Sequence, residues 1–237
     1  MAFSVRGAAG TVPAVLWRPD VSTPRPLVLL GHGGSGHKRS DRIVALGRWF
    51  AEHAGCAAVA IDGPFHGDRS APDYQARVAA EGIDHVLDRM RDDWLAAVDA
   101  VVADGAADPG AIGYVGLSMG TRYGLAVTAA LGDRLRCAVL GKFGLRQGPA
   151  LAPALAAPER AECDAARTTA PVLFHLQWHD EIFPRDGQLA LFDAFPSTDK
   201  QLIAYAGPHA DTRPEAVAAW REFVAARLTR RDRGEAV

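Results

Sequence analysis

The sequence predicts one α/β domain built on a mostly parallel sheet, and three observations carry that expectation. Apolar runs of four to seven residues recur along the chain, and most are continuously apolar, as strands covered by helices on both faces require. Helix-compatible stretches separate the runs, and no internal repeat or linker interrupts the series. The length of 237 residues, with 49% hydrophobic and 23% charged, suits a single large core and argues against a disordered or coiled-coil chain.

Within residues 1–20, Phe3 to Arg6 and Thr11 to Arg18 flank Gly-rich sequence and predict an antiparallel hairpin on the sheet edge. The apolar runs that follow are Pro26 to Gly31, Cys56 to Asp62, Ala111 to Gly116, Cys137 to Gly141, Pro171 to Gln177 and Lys200 to Ala206. With the hairpin they make a sheet of about eight strands. Between them, Ser40 or Asp41 can cap a helix whose Ile43, Leu46 and Phe50 share one face, and Gly55 can end it in the left-handed conformation. Asp84 to Ala103 repeats Val86, Met90, Trp94, Val98 and Val101 at helical steps and is expected to stop before a turn at Ala107 to Gly110. A last helix from about Pro214 to Leu228 carries Val217, Trp220, Val224 and Leu228 on one stripe, and residues 229–237 are polar and expected to fray. Residues 142–170 must also supply a helix, so a cap built there is small, and Gly63 to Gly82 can cover part of a site.

Composition narrows the function classes. The 26 Lys+Arg and 28 Asp+Glu leave a formal net charge of -2, with no cationic excess to displace counterions from a phosphate backbone, so nucleic acid is not expected as a partner. Cys56, Cys137 and Cys163 are odd in number and widely spaced, and they read as small core residues, not as a disulfide framework or zinc site. Met1 to Gly10 lacks the apolar stretch of a signal sequence, and nowhere do about 18 apolar residues follow one another. A soluble, reducing, cytoplasmic setting without a membrane is the expectation.

The segment that points to chemistry is Gly116, Leu117, Ser118, Met119, Gly120, directly after an apolar run and before the helix-compatible stretch Thr121 to Leu131. The pattern GxSxG in a strand-turn-helix setting makes a nucleophile of its serine. The turn is sharp enough that a side chain at 116 or 120 would strike neighbouring backbone, which is why glycine flanks the serine. It lifts the Ser118 hydroxyl above the sheet and aims the positive end of the next helix at the reacting centre.

On these residues the sequence resembles the α/β-hydrolase superfamily, and within it the dienelactone-hydrolase-like and serine carboxylesterase members. The resemblance spans nearly the whole chain: LLGHGG at 29–34, IDGPFHG at 61–67, GLSMG at 116–120, WHDEIFP at 178–184 and GPHAD at 207–211. Dienelactone hydrolases proper use a cysteine nucleophile, so Ser118 draws the reading toward a serine esterase. The superfamily order of nucleophile, acid and histidine then implies His209 as base, ahead of His179 and the strand-embedded His175. It implies Asp180 as the acid that orients the imidazole, with neighbouring Glu181 as the alternative. The backbone amides of Met119 and Gly34, or of Gly33 in its place, are the implied oxyanion donors. His32 and His66 are expected to hold loops in shape, and Gly33, Phe65 and Phe183 to touch substrate.

The resemblance implies an ester hydrolase of short to medium acyl chains acting through an acyl-enzyme on a small molecule, with no cofactor and no metal. Peptidase, thioesterase and lactonase chemistry use the same residues, and a catalytically silent binding protein can share the fold. Neither HExxH nor paired cysteines support a zinc hydrolase. The loop GHGGSG at 31–36 is neither GxGxxG nor a P-loop, so nucleotide binding is not expected.

Overall fold

The computed structural model describes residues 1–7 and 9–229. Its strands are β1 (Ala2–Gly7), β2 (Gly10–Trp17), β3 (Arg25–Gly31), β4 (Ala57–Ile61), β5 (Ala107–Gly116), β6 (Leu135–Gly141), β7 (Val172–Gln177) and β8 (Lys200–Tyr205). Its α-helices are α1 (Asp41–His53), α2 (Tyr74–Glu81), α3 (Ile83–Ala103), α4 (Met119–Leu131), α5 (Pro158–Ala166), α6 (Arg185–Ala194) and α7 (Pro214–Thr229). One eight-stranded sheet runs in the order β1-β2-β4-β3-β5-β6-β7-β8. The β1–β2 hairpin is antiparallel, with Phe3 opposite Ala14, and β2 joins β4 antiparallel. From β4 to β8 every pairing is parallel.

Strand β3 connects outward to β4, and its other neighbour β5 connects outward to β6, so the winding reverses between β3 and β5. In such sheets the two connections leave in opposite directions at the strands' carboxyl ends and open a crevice between them. The loops that follow β3 and β5 are the GHGG and GLSMG segments, which therefore meet by topology alone.

Alternation along the strands splits the core into two layers. Leu27, Leu29, Val59, Ile61 and Tyr114 pack on the face covered by α3 and α4, around the fully buried Trp94. Val28, Leu30, Ala58, Ala60 and Val115 pack on the opposite face with Phe50 of α1 and Trp220 of α7. Each buried tryptophan removes 150–250 Å² from water, about 4–6 kcal/mol of hydrophobic driving force before conformational costs. Two glycines set how closely helices approach. A Cβ at Gly113 would stand 3.1 Å from Leu228 Cδ1 and 3.2 Å from Val224 Cγ1, and a Cβ at Gly120 would stand 2.7 Å from the carbonyl oxygen of Gly31.

Three expectations need correction. The Ala107–Gly110 turn lies inside β5: Ala107 already pairs with Arg25, while Leu27 pairs with Ile112, so the intervening residues bulge out of register. Asp108 Oδ1 accepts the Gly110 amide at 2.9 Å, a side-chain turn built into the strand. Ser40 is the residue before α1 but makes no side-chain cap to it; its hydroxyl accepts the His37 amide at 2.8 Å instead. Cys163 is exposed on α5, whereas Cys56 and Cys137 are buried. Residues 63–82 include α2, which Asp73 caps by accepting the Ala76 amide at 3.1 Å. The expected fraying of 229–237 lies outside the described residues, apart from Thr229, the last residue of α7. No helix among the described residues is long and apolar enough to cross a membrane.

The Gly120–Gly31 crossing makes a measurable statement. Gly120→Ala should lose about 1–3 kcal/mol of unfolding free energy despite alanine's better helix propensity, because backbone must move to admit the methyl. Gly34→Ala, whose new atom would come no closer than 3.9 Å to a neighbour, should lose far less. Urea unfolding of the two variants compares them directly, and equal losses would contradict the packing argument.

Candidate active site

Between the last residue of β5, Gly116, and the first of α4, Met119, the chain has only Leu117 and Ser118 in which to turn from strand to helix. Ser118 takes the strain, at φ 60 and ψ -122, a conformation that costs a non-glycine residue of order 1–3 kcal/mol. Several bonds hold it there. The Ser118 amide donates to Gly141 O at 2.9 Å, and the Arg122 amide donates to Ser118 O at 3.0 Å. Thr121 Oγ1 lies 2.7 Å from Gly116 O and accepts the Gly141 amide at 2.8 Å. The buried Tyr114 hydroxyl donates to Gly120 O at 2.6 Å, its ring filling the space left by the side chains that Gly116 and Gly124 lack.

His209 follows β8 on the loop before α7, and its Nε2 lies 2.9 Å from Ser118 Oγ. Its Nδ1 lies 2.7 Å from Asp180 Oδ2. An ionised Asp180 can only accept, so Nδ1 carries the proton and Nε2 is left to accept from the serine hydroxyl. Asp180 is buried, and its other oxygen accepts the amides of Ile182 at 2.9 Å and Phe183 at 2.8 Å. Glu181 faces a different atom: its Oε2 accepts the His209 main-chain amide at 2.9 Å. That bond holds the Glu181 carboxyl below its ordinary pKa. One carboxylate therefore addresses the imidazole and the next addresses the backbone that carries it.

The other histidines sit elsewhere. His179 Nδ1 accepts the Gly207 amide at 3.3 Å on the exposed rim. His175 is buried within β7, 3.1 Å from Gln177 Oε1, and burial pushes its pKa down to about 4. His32 accepts the Gly63 amide on Nε2 at 2.9 Å, with Nδ1 2.8 Å from Gly33 O, and burial lowers it likewise to about 4, so it is a neutral ring joining two loops. His66 makes a second join, its Nε2 3.0 Å from Gly34 O and its Nδ1 2.8 Å from Pro64 O.

Ser118 and His209 open onto a cavity of about 640 Å³. Gly33, Gly34 and Met119 line it beside Ser118, and Phe183 lines it beside His209. A roof comes from two segments: Tyr74 and Gln75 of α2, and Leu151 and Leu155 around a short 3-10 turn at Pro153–Leu155. Gln75 Oε1 accepts the Ala152 amide at 2.7 Å and ties the two together. Phe65 does not line the cavity, contrary to expectation. At φ 65 the chain reverses, and its ring is buried beneath the guanidinium groups of Arg77 and Arg89, 5.6 and 5.2 Å from its centroid.

Sequence reasoning passed over a buried ion pair that braces the Gly34 loop. Lys38 Nζ meets Asp62 Oδ2 at 2.5 Å and Asp68 Oδ2 at 2.6 Å, and Asp62 also accepts the amides of Lys38 and Asp68. The signal was available: Asp62 is an acid ending an otherwise apolar strand run, a position where an unpaired charge is costly. Lys142 was also missed. It lies just past β6, lines the cavity at φ 47, and donates to Asp211 O at 2.7 Å and Thr212 Oγ1 at 3.2 Å, holding the loop after His209. No group of three or more His, Cys, Asp or Glu side chains among the described residues is placed to hold a metal ion.

Comparison with known proteins now adds to the geometry. The model of the dienelactone hydrolase family matches residues 12–224. This chain belongs to the dienelactone hydrolase family. It is a hydrolase with the α/β-hydrolase fold. Among solved structures it is similar to a cold-adapted esterase from an Arctic intertidal metagenomic library, at 33% identity over 96% of this chain and 93% of that one, with a TM-score of 0.81. At the level of fold it is similar to an acetyl xylan esterase from Paenibacillus sp. R4, at 19% identity over 96% and 83% of the chains, TM-score 0.78. It is likewise similar to Est1E from Butyrivibrio proteoclasticus with ferulic acid bound, at 19% identity over 97% and 100%, TM-score 0.72. No curated protein sequence matches the chain.

Two measurements probe this arrangement. Asp180→Asn should lower kcat by about 10⁴-fold by disturbing the imidazole tautomer, whereas Glu181→Gln should cost less than about tenfold; the reverse order would transfer the acid's role to Glu181. The second concerns Lys142, whose ammonium burial pushes down from 10.5 to about 8. Between about pH 8 and 10.5 the unfolded chain binds a proton that the folded chain has released, so this group's contribution to stability rises with pH. The wild type should therefore gain of order 1–2 kcal/mol on Lys142→Met between pH 7.5 and 9.5 in urea unfolding. Parallel profiles would show that the lysine is not desolvated.

Proposed function

We propose that this protein is a serine carboxylesterase acting on small esters of short to medium acyl chain. The observation that carries the reading is the unbroken hydrogen-bonded series from Ser118 Oγ to His209 Nε2 at 2.9 Å and from His209 Nδ1 to Asp180 Oδ2 at 2.7 Å, opening onto a cavity. A serine hydroxyl is a weak nucleophile at neutral pH and needs such a base. In the proposed reaction His209 takes the hydroxyl proton as Ser118 Oγ attacks the ester carbonyl. The tetrahedral oxyanion is met by the main-chain N–H groups of Met119 and Gly34. His209 then gives its proton to the departing alcohol, leaving an acyl-enzyme. Water, deprotonated by the same imidazole, hydrolyses the acyl-enzyme and frees the acid.

Asp180 accepts from Nδ1–H throughout and stabilises the imidazolium that forms twice per turnover. The positive end of α4 adds its field at the oxyanion. Likeness to a protein described as a cold-adapted esterase, at 33% identity, supports ester substrates. The cavity volume and the roof from α2 and the 3-10 turn suit a small substrate. Thioesters, lactones and peptides use the same machinery, and ester preference is what the substrate comparison below decides.

Ser118→Ala should lower turnover of an activated acetyl or butyryl ester by about 10⁶-fold with unchanged circular dichroism. A fluorophosphonate should label the wild type at Ser118 and leave the variant unlabelled. A panel of esters of graded acyl length, with a thioester and a peptide amide beside them, reads the preference. Unaltered turnover in the variant, or labelling at another residue, removes Ser118 from the mechanism.

A further inference from the structure

We propose that Gln188 is a positioning residue for the imidazole of His209: its buried carboxamide donates to the Asp180 oxygen that meets the ring, and so sets how firmly that carboxylate holds it. The inference rests on the esterase reading and adds to it a residue that does not line the cavity. Helix α6 begins directly after Pro184, and the Gln188 amide donates to Pro184 O at 3.2 Å, so Gln188 stands one turn in. The turn packs closely because Gly187 lacks a side chain: a Cβ there would stand 2.8 Å from the Arg146 amide nitrogen. Across the same contact the Leu145 amide donates to Gly187 O at 3.0 Å. Gln188 is left 0% exposed against the loop that carries Asp180.

A buried carboxamide is costly unless its donors and acceptor are met, and the partners of Gln188 fix which way it faces. Its Oε1 accepts the Gln177 amide at 3.3 Å. Its Nε2 donates to Phe183 O at 2.7 Å, and Gln177 O and Asp180 Oδ2 each lie 3.3 Å from the same nitrogen. Turned over, the group would set its oxygen against three acceptors, so the nitrogen faces Asp180. One N–H is spent on Phe183 O, and the other is shared between Gln177 O and Asp180 Oδ2.

An ionised carboxylate offers about four acceptor sites, and the buried Asp180 meets a donor at each. Oδ1 takes the amides of Ile182 and Phe183, and Oδ2 takes His209 Nδ1 and Gln188 Nε2. Two side chains thus compete for the oxygen that orients the ring, and the charge drawn toward Gln188 is withheld from the imidazole. The charged and titratable groups around the pair are engaged elsewhere. Glu181 accepts the His209 amide, Lys142 donates to Asp211 O and Thr212 Oγ1, and His175 sits against Gln177 Oε1. The Asp211 carboxyl lies over Gly207, and Arg122 of α4 lies over the rings of Phe143 and Phe183. On α6 itself Arg185 stacks over Trp178, and Asp186 pairs with Arg146.

Gln188→Met keeps the bulk and removes both N–H groups. Oδ2 then serves the imidazole alone, the imidazolium is favoured, and the ring keeps its proton to higher pH. NMR titration of nitrogen-labelled histidines should show the His209 midpoint raised by about half a pH unit or more, with His209→Gln assigning the resonance. Gln188→Glu, nearly the same size, sets a second carboxylate beside Oδ2, and the added negative charge should move the midpoint the same way and further. In turnover of a butyryl ester the acid limb of kcat/KM should move up in step. At neutral pH kcat should fall about three- to tenfold with KM little changed, since substrate does not touch Gln188.

A residue that only glued α6 to the acid loop would lower stability in both variants and leave the titration where it was. An unmoved midpoint, or a downward shift, therefore overturns the proposal. If Gln188→Met fails to fold, Gln188→Glu decides, because it keeps the volume and an oxygen for the Gln177 amide. The wild type supplies a further readout: the Gln188 side-chain amide resonances should shift with the His209 midpoint, and resonances that ignore that titration also overturn the proposal. None of the NMR measurements needs a substrate. Should no ester be cleaved while the midpoint still moves, the esterase reading falls and the coupling stands; ester turnover with an unmoved midpoint keeps that reading and removes Gln188 from it.

Discussion

Ser118 holds a backbone conformation that an L-residue avoids, and it does so because everything around it is fixed first. The strand before it is clamped between β3 and β6, and the helix after it is pressed so near β3 that only glycine fits at 120. The Ser118 amide is spent on Gly141 O, the end of the neighbouring strand. Strain of a few kcal/mol is small beside the burial of a two-layer core, so the fold can hold it locally. The consequence is geometric: the hydroxyl stands clear of the sheet at the reversal of winding, where the loop after β3 has to pass.

The loops that meet there are tied down by polar bonds more than by apolar contact. Lys38, Asp62 and Asp68 close the Gly34 loop onto the segment after β4, and His32 and His66 repeat the join with neutral or bridging imidazole. On the other side Glu181 and Lys142 grip the main chain around His209. Each of these groups is satisfied by its neighbours, and satisfied buried polar networks specify one arrangement over others.

The fold was legible because its signals are local. The hairpin, the six apolar runs and the helical stripes of α1, α3 and α7 all follow from periodicity and from chain punctuation by glycine and proline. Where the reading slipped, a tertiary partner had intervened. Ala107 enters β5 because Arg25 lies opposite it, even though the next three residues carry turn chemistry. Phe65 leaves the site because Arg77 and Arg89 claim its ring, and nothing in IDGPFHG announces residues 77 and 89.

The sequence by itself determined the strand and helix order, the sharp bend that presents Ser118, and a short roster of acids and histidines from which partners could be drawn. Those properties depend on neighbours within a few residues, so they are written in the chain. Tertiary structure decided which carboxylate meets the imidazole and which meets its amide, and that Lys38 and Asp62 brace the loop of Gly34. These are distances of 2.5 to 2.9 Å between residues 24 to 29 positions apart. Adjacent residues such as Asp180 and Glu181 differ only in the direction the folded backbone gives them, and direction is a property of the packed chain.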